Sequence, residues 1–184
     1  ISRLIRWESG DFSLSEFQIH HQCIFLLNAG HETTTNLIGN GVLALLDHPG
    51  ELARLRATPD LIDSTVEECL RYEAPVQLGN RTVTANTTLG GQALEAGAVL
   101  TLAIGAANRD PAVFERPDDF DIGRAPNPHL SFGAGIHTCA GLAVARLEAR
   151  IAIQRLVTRF PALALAGPVH RARRARFRAI ERLP

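Results

Sequence analysis

With 184 residues, 46% of them hydrophobic, and 19 basic against 19 acidic side chains, the chain fits one globular domain with no whole-molecule field to draw nucleic acid or an anionic membrane. Its three cysteines, Cys23, Cys69 and Cys139, are odd in number, far apart and outside any C-x-x-C pair, which argues against a disulfide framework or a zinc site. No basic, apolar, small-residue leader opens the sequence and no apolar run reaches membrane-spanning length, so a cytoplasmic protein without a membrane partner is expected.

The first element in chain order is a long helix over about 13–48, opened by a capping box of Ser13 and Glu16 and stopped by Pro49. Its middle, CIFLLNAGHETTTNLIGNGVLALL, is apolar on nearly every side, which predicts a helix buried all round. A short helix over about 51–57 and another over 61–72 follow, the latter ended by Pro75. Then RTVTANTTLGGQALEAGAVLTL reads as short strands turned at Gly90-Gly91 and Ala96-Gly97. The stretch ANRDPAVFERPDDFDIGRAPNPHL has four prolines and little periodicity, and a loop of that length in a compact domain is functional or disordered. A helix from just after Cys139 to about Phe160 and a strand-and-turn tail over 161–184 complete the chain.

The stretch FGAGIHTCAG, residues 132–141, sets a lone cysteine behind spaced glycines and before a helix. A free thiol is most often a buried structural residue. Glycines ahead of a helix also suit a phosphate cradle, but Gly133, Gly135 and Gly141 match neither dinucleotide nor P-loop spacing. A third reading makes Cys139 a thiolate ligand, because unpaired N–H groups at a helix mouth favour the anion. Gly133 and Gly135 would then clear space for a flat cofactor, and a single thiolate on iron points to haem.

Residues 132–141 resemble the haem-binding loop of the cytochrome P450 superfamily, matching F-x-x-G-x-x-x-C-x-G through Phe132, Gly135, Cys139 and Gly141. Three further matches follow in the family's order. AGHETT, residues 29–34, resembles its oxygen-activation motif. The resemblance makes Glu32 and Thr33 a proton-delivery pair in a dry pocket, with Ala29 and Gly30 against the cofactor and Gly30 letting the helix open for dioxygen. Packing threonines and a solvent-facing Glu32 are the plain alternative, which explains poorly an acid inside so apolar a helix. Glu68 and Arg71 form E-x-x-R, by spacing alone an ordinary surface ion pair; the resemblance buries them with Arg124 as a structural network. Arg81 and His137 stand where the family pairs the haem propionates, with His129 a weaker candidate.

The resemblance implies a mainly α fold with small β-sheets, the C-terminal half of the family's single domain, occupying residues 1–184 with the N-terminal half absent. It also implies a monooxygenase that inserts one oxygen atom from dioxygen into a small organic substrate. The cofactor would be thiolate-ligated haem b, with electrons from NAD(P)H through a ferredoxin or similar donor. Leu26, Ala29, Gln77 and Leu78 are the expected pocket lining. Arg146 and Arg150 are candidates for docking an acidic ferredoxin, or are solvated helix residues. HRARRARFR near the C-terminus reads as a solvated arginine face rather than a nucleic-acid site. The chain has no methionine, so Ile1 is read as a processed terminus or a cut inside a longer protein. A rival from another class is a non-catalytic fragment or split half that needs the missing part to bind haem and substrate; a reading frame continuing upstream would favour truncation.

Overall fold

The computed structural model describes residues 8–9 and 12–184. A two-residue strand β1 (Glu8–Ser9) pairs antiparallel with β2 (Phe12–Ser13). Helix α1 (Glu16–Asp47) follows, 32 residues long. Its capping box lies two residues beyond the expected one: Gln18 N–H donates to Ser15 Oγ, and Ser15 N–H donates to the Gln18 side chain. Ser13 is taken up by β2, which corrects the Ser13–Glu16 assignment. Pro49 ends α1 as predicted by becoming the first residue of α2 (Pro49–Ala57), where a missing N–H costs nothing. A 3-10 turn (Pro59–Leu61) leads into α3 (Ile62–Tyr72).

The strands form separate two-stranded sheets. β3 (Leu78–Thr82) pairs antiparallel with β6 (Val99–Ala103), and between them β4 (Thr87–Leu89) pairs with β5 (Gln92–Leu94). Gly90 and Gly91 join the inner hairpin at φ +56° and +80°, a turn that needs positive φ at both central positions. A four-residue helix α4 (Ile104–Ala107) opens the proline-rich segment, which runs irregularly to a 3-10 turn at Gly135–His137. Helix α5 (Leu142–Arg159) follows, and β7 (His170–Arg171) pairs with β8 (Ile180–Arg182) at the end.

One core sits where α1, α2, α3 and α5 meet, built from Leu37, Val42 and Leu45, Leu52 and Leu55, Ile62, Val66 and Leu70, and Ala149, Ile153 and Val157. Phe120 and Ile122 of the proline-rich segment plug into it. At Gly41 a Cβ would stand 3.0 Å from Cys69 Sγ and 3.1 Å from Ile153 Cδ1, so glycine permits α1 to approach α3 and α5 this closely. Burial is confined to the second half of α1. In the first half Ile24, Phe25, Leu26 and Leu27 are all exposed, so this chain leaves uncovered part of the helix whose apolar pattern predicts burial all round. No helix among the described residues is long and apolar enough to cross a membrane.

Candidate active site: a cysteine loop facing the long helix

Between α1 and the loop before α5 lies a cleft of about 380 Å³. One wall is the middle of α1, with Ala29, Gly30, Thr33, Thr34 and Leu37. The other holds Phe132, Gly133, His137, Cys139 and Gly141, continued by Val144 and Ala145 of α5. Of the three cysteines, Cys69 is fully buried and burial pushes its thiol pKa up, leaving it inert at neutral pH. Cys139 is exposed and lines the cleft.

The loop holds its shape through its own backbone. Cys139 N–H donates to Phe132 O at 2.8 Å, and Thr138 donates to Gly135 O through both its amide and its hydroxyl. Gly133 sits at φ +70°, where a Cβ would also come within 3.1 Å of His137 O, so both conformation and space require glycine. Gly135, at φ +63°, does not line the cleft; its contribution is the turn. Across the cleft, a Cβ at Gly30 would meet nothing within 4 Å. Apolar walls, an open face at Gly30 and one soft sulfur donor suit a flat, thiolate-ligated group such as haem. Among the described residues no three His, Cys, Asp or Glu side chains gather as an alternative metal site.

On the far side of α1 a second groove, of about 970 Å³, runs beside the β7–β8 hairpin. Ala29 and Thr33 line both spaces, while Glu32 lines only the outer one. Thr33 Oγ1 donates back to Ala29 O at 2.9 Å. Glu32 is half-exposed and ion-paired with Arg174, so the acid is neither buried nor lacking a partner. That resolves the apparent anomaly of an acid in an apolar helix, because this stretch of α1 is not dry on every side.

Glu68 and Arg71 are fully buried side by side. Two parallel bonds of 2.8 Å join the guanidinium to the carboxylate, and its remaining donors reach the carbonyls of Asn108, Pro117 and Asp119. All five Arg71 N–H groups are therefore satisfied. Glu68 also accepts from Arg124 Nε at 3.1 Å, Asp121 N–H at 2.9 Å and Asn127 Nδ2 at 3.1 Å. Arg124 in turn bonds the carbonyls of Glu115, Arg116 and Asp119. The network therefore ties α3 to the proline-rich segment leading to the cysteine loop.

Other expected site residues lie elsewhere. Arg81 is exposed and bonds the carbonyl of its neighbour Asn80. Leu26 is exposed, Gln77 folds back to Ala74 O, and Leu78 is spent in β3, so none of the three lines the cleft. Arg146 and Arg150 are engaged by Glu67 and Asp63. Arg171 and Arg178 share Glu73, which ties part of the arginine-rich tail to the body of the fold.

Two residues had no part in the sequence reading. Asn108, fully buried, donates to Ser131 Oγ and accepts from Leu130 N–H, holding the loop's entry. Glu67 accepts from Arg146 and from His129. Partial burial alone would raise its pKa, but hydrogen bonds from His129 and Arg146 outweigh that and bring it down to about 2.

A cytochrome P450 family model matches residues 3–167. The biotin biosynthesis cytochrome P450 of Bacillus subtilis is 51% identical over 185 residues, covering 100% of this chain and 47% of its own length. The polyketide biosynthesis cytochrome P450 PksS of the same organism is 44% identical over 167 residues, covering 90% of this chain and 41% of its own. Among solved structures, P450BioI in complex with a hexadec-9Z-enoic acid ligated acyl carrier protein superposes with a TM-score of 0.91 at 51% identity, covering 93% of this chain and 45% of that one. The chain spans less than half the length of these relatives.

Proposed function

This chain belongs to the cytochrome P450 family, and from that premise we propose that it is the C-terminal, thiolate-bearing part of one haem-dependent monooxygenase domain. The whole protein would insert one oxygen atom of dioxygen into a small organic substrate, drawing electrons from NAD(P)H through a ferredoxin or similar donor. The observation that carries this reading is the exposed Cys139 sharing an apolar cleft with Gly30 and Thr33.

Haem b, when bound, supplies a redox-active iron at which dioxygen can be reduced. Cys139 would hold the iron, its backbone fixed by the bond to Phe132 O. Gly30 leaves room at the cofactor face, and His137, on the cleft wall, would meet a propionate. Thr33 and Glu32 would move protons: Glu32 stands in the solvent-facing groove, and Thr33 belongs to both groove and cleft. A proton taken up at Glu32 would pass to a water held by the Thr33 hydroxyl. Arg174 would keep the Glu32 carboxylate turned toward the outer groove.

In the haem-loaded protein the reduced carbon-monoxide adduct should show the strongly red-shifted Soret band of thiolate ligation. Cys139→Ser should lose it; a variant that keeps the band would overturn the ligand assignment. The hexadec-9Z-enoic acid ligated acyl carrier protein bound to one solved relative supports an acyl chain as substrate class. Fatty acids of increasing length should then shift the oxidised Soret band in titration, and a flat response to all of them would reject that class.

A further inference from the structure

We propose that Glu67 is a positioning residue for the cysteine loop, a single carboxylate that clamps the loop on both sides of Cys139. This rests on the reading of Cys139 as the iron ligand and goes beyond it, because the resemblance gave Glu67 no role.

Glu67 is the neighbour of buried Glu68 on α3, turned about 100° around the helix from it. It therefore points away from the network that holds the proline-rich segment. Its Oε1 accepts from Arg146 Nε at 2.7 Å, and its Oε2 accepts from Arg146 Nη2 at 2.8 Å and from His129 Nε2 at 3.1 Å. His129 Nδ1 accepts Ser131 N–H at 3.3 Å, so Nε2 is the nitrogen that carries the proton toward Glu67. His129 precedes the loop and Arg146 follows it, in the first turns of α5. One carboxylate on a third element thus sets the spacing of the loop's two ends.

The clamp also reaches the cysteine through Phe132. The Arg146 guanidinium lies 4.7 Å from the centre of the Phe132 ring, within cation–π range, and the carbonyl of Phe132 accepts the Cys139 N–H. A planar fork held by two parallel bonds cannot swivel freely, so fixing Arg146 fixes the face it presents to the ring. His129 is almost wholly buried, whereas the Glu67 and Arg146 side chains are 28% and 39% exposed. A partly exposed pair contributes little to global stability, yet it can still decide where a loop rests.

The test uses the full-length haem protein with Glu67→Gln, Arg146→Gln and the double variant. Two signals are followed: hydrogen exchange of residues 129–141 against 147–157, and the rate at which the reduced carbon-monoxide adduct loses its thiolate-type band. Losing a charge-assisted bidentate pair should speed loop exchange and band loss by about tenfold, with α5 exchange unchanged. The double variant should be no worse than the worse single one, because both remove the same clamp. Unchanged loop exchange, acceleration spread evenly over α5, or effects that add in the double variant would each overturn the proposal. A wild type without the thiolate band would remove the ligand assignment instead. Loop exchange in the haem-free protein would then still decide the clamp, as it would if a variant took up no haem.

Discussion

Thr33 occupies the one place on α1 where a hydroxyl reaches both the cysteine cleft and the outer groove. Its Oγ1 donates to Ala29 O, a local bond that any helical threonine can make and break at small cost. Removing the hydroxyl should therefore change stability by no more than about 1 kcal/mol and leave the haem's enclosure intact. Thr33→Ala should keep full haem loading and the thiolate-type spectrum while diverting reducing equivalents into hydrogen peroxide. Peroxide yield measured against NAD(P)H consumed checks this, and unchanged coupling of NAD(P)H use to product would remove Thr33 from proton delivery. Glu32 belongs to the same proposed path, but its pairing with Arg174 across 142 positions of sequence could not be read from AGHETT. A local motif fixes neighbours along the chain and is silent about what the C-terminal hairpin brings across.

At the scale of elements, α3 organises the site. Its inward carboxylate, Glu68, satisfies two guanidinium groups and a backbone amide at once, and its neighbour Glu67 meets the loop and α5. Glu68→Ala would leave Arg71 buried with its charge uncompensated, a loss of about 3–5 kcal/mol. The proline-rich segment should loosen with it, so haem incorporation should fail; full loading with an unchanged melting temperature would reduce the network to an incidental ion pair. The ends of the helices were legible because their stop signals are local: Pro49 and Pro75 cannot continue a helix, and Gly90-Gly91 suits a tight hairpin. The start of α1 was missed by two residues because Ser13 and Ser15 are equally good caps until β2 claims the first. That Leu26, Gln77 and Leu78 do not line the cleft of this chain could not be read from the sequence for a related reason. Resemblance assigns a position along the chain, whereas facing a cleft depends on strand pairing and helix rotation that only the assembled fold sets.

For the whole molecule the decisive feature is the uneven cover of α1. Its second half carries Leu37, Val42 and Leu45 into the core, while Phe17, Ile24, Phe25 and Leu27 of the first half are 71%, 58%, 62% and 72% exposed. Aromatic and leucine side chains in that number amount to several hundred Å² of apolar surface, on the order of 10 kcal/mol at about 25 cal/mol per Å², against a native reserve of ~5–15 kcal/mol. Exposed contiguous surface of this kind drives association or collapse unless another segment or partner covers it. Phe25 and Leu27 of that half line the outer groove, while on the cleft side Cys139 is exposed and a Cβ at Gly30 would meet nothing within 4 Å, so haem bound by residues 1–184 alone would be open to water. Expressed by itself, this chain should be poorly soluble or melt without a sharp transition, and should hold haem weakly if at all. Supplying the remainder of the proposed domain should restore both. Sedimentation, thermal melting and haem titration of residues 1–184 check the expectation together. A monomer with a cooperative transition and stoichiometric, thiolate-ligated haem would mean that the exposed half of α1 finds its cover within the chain.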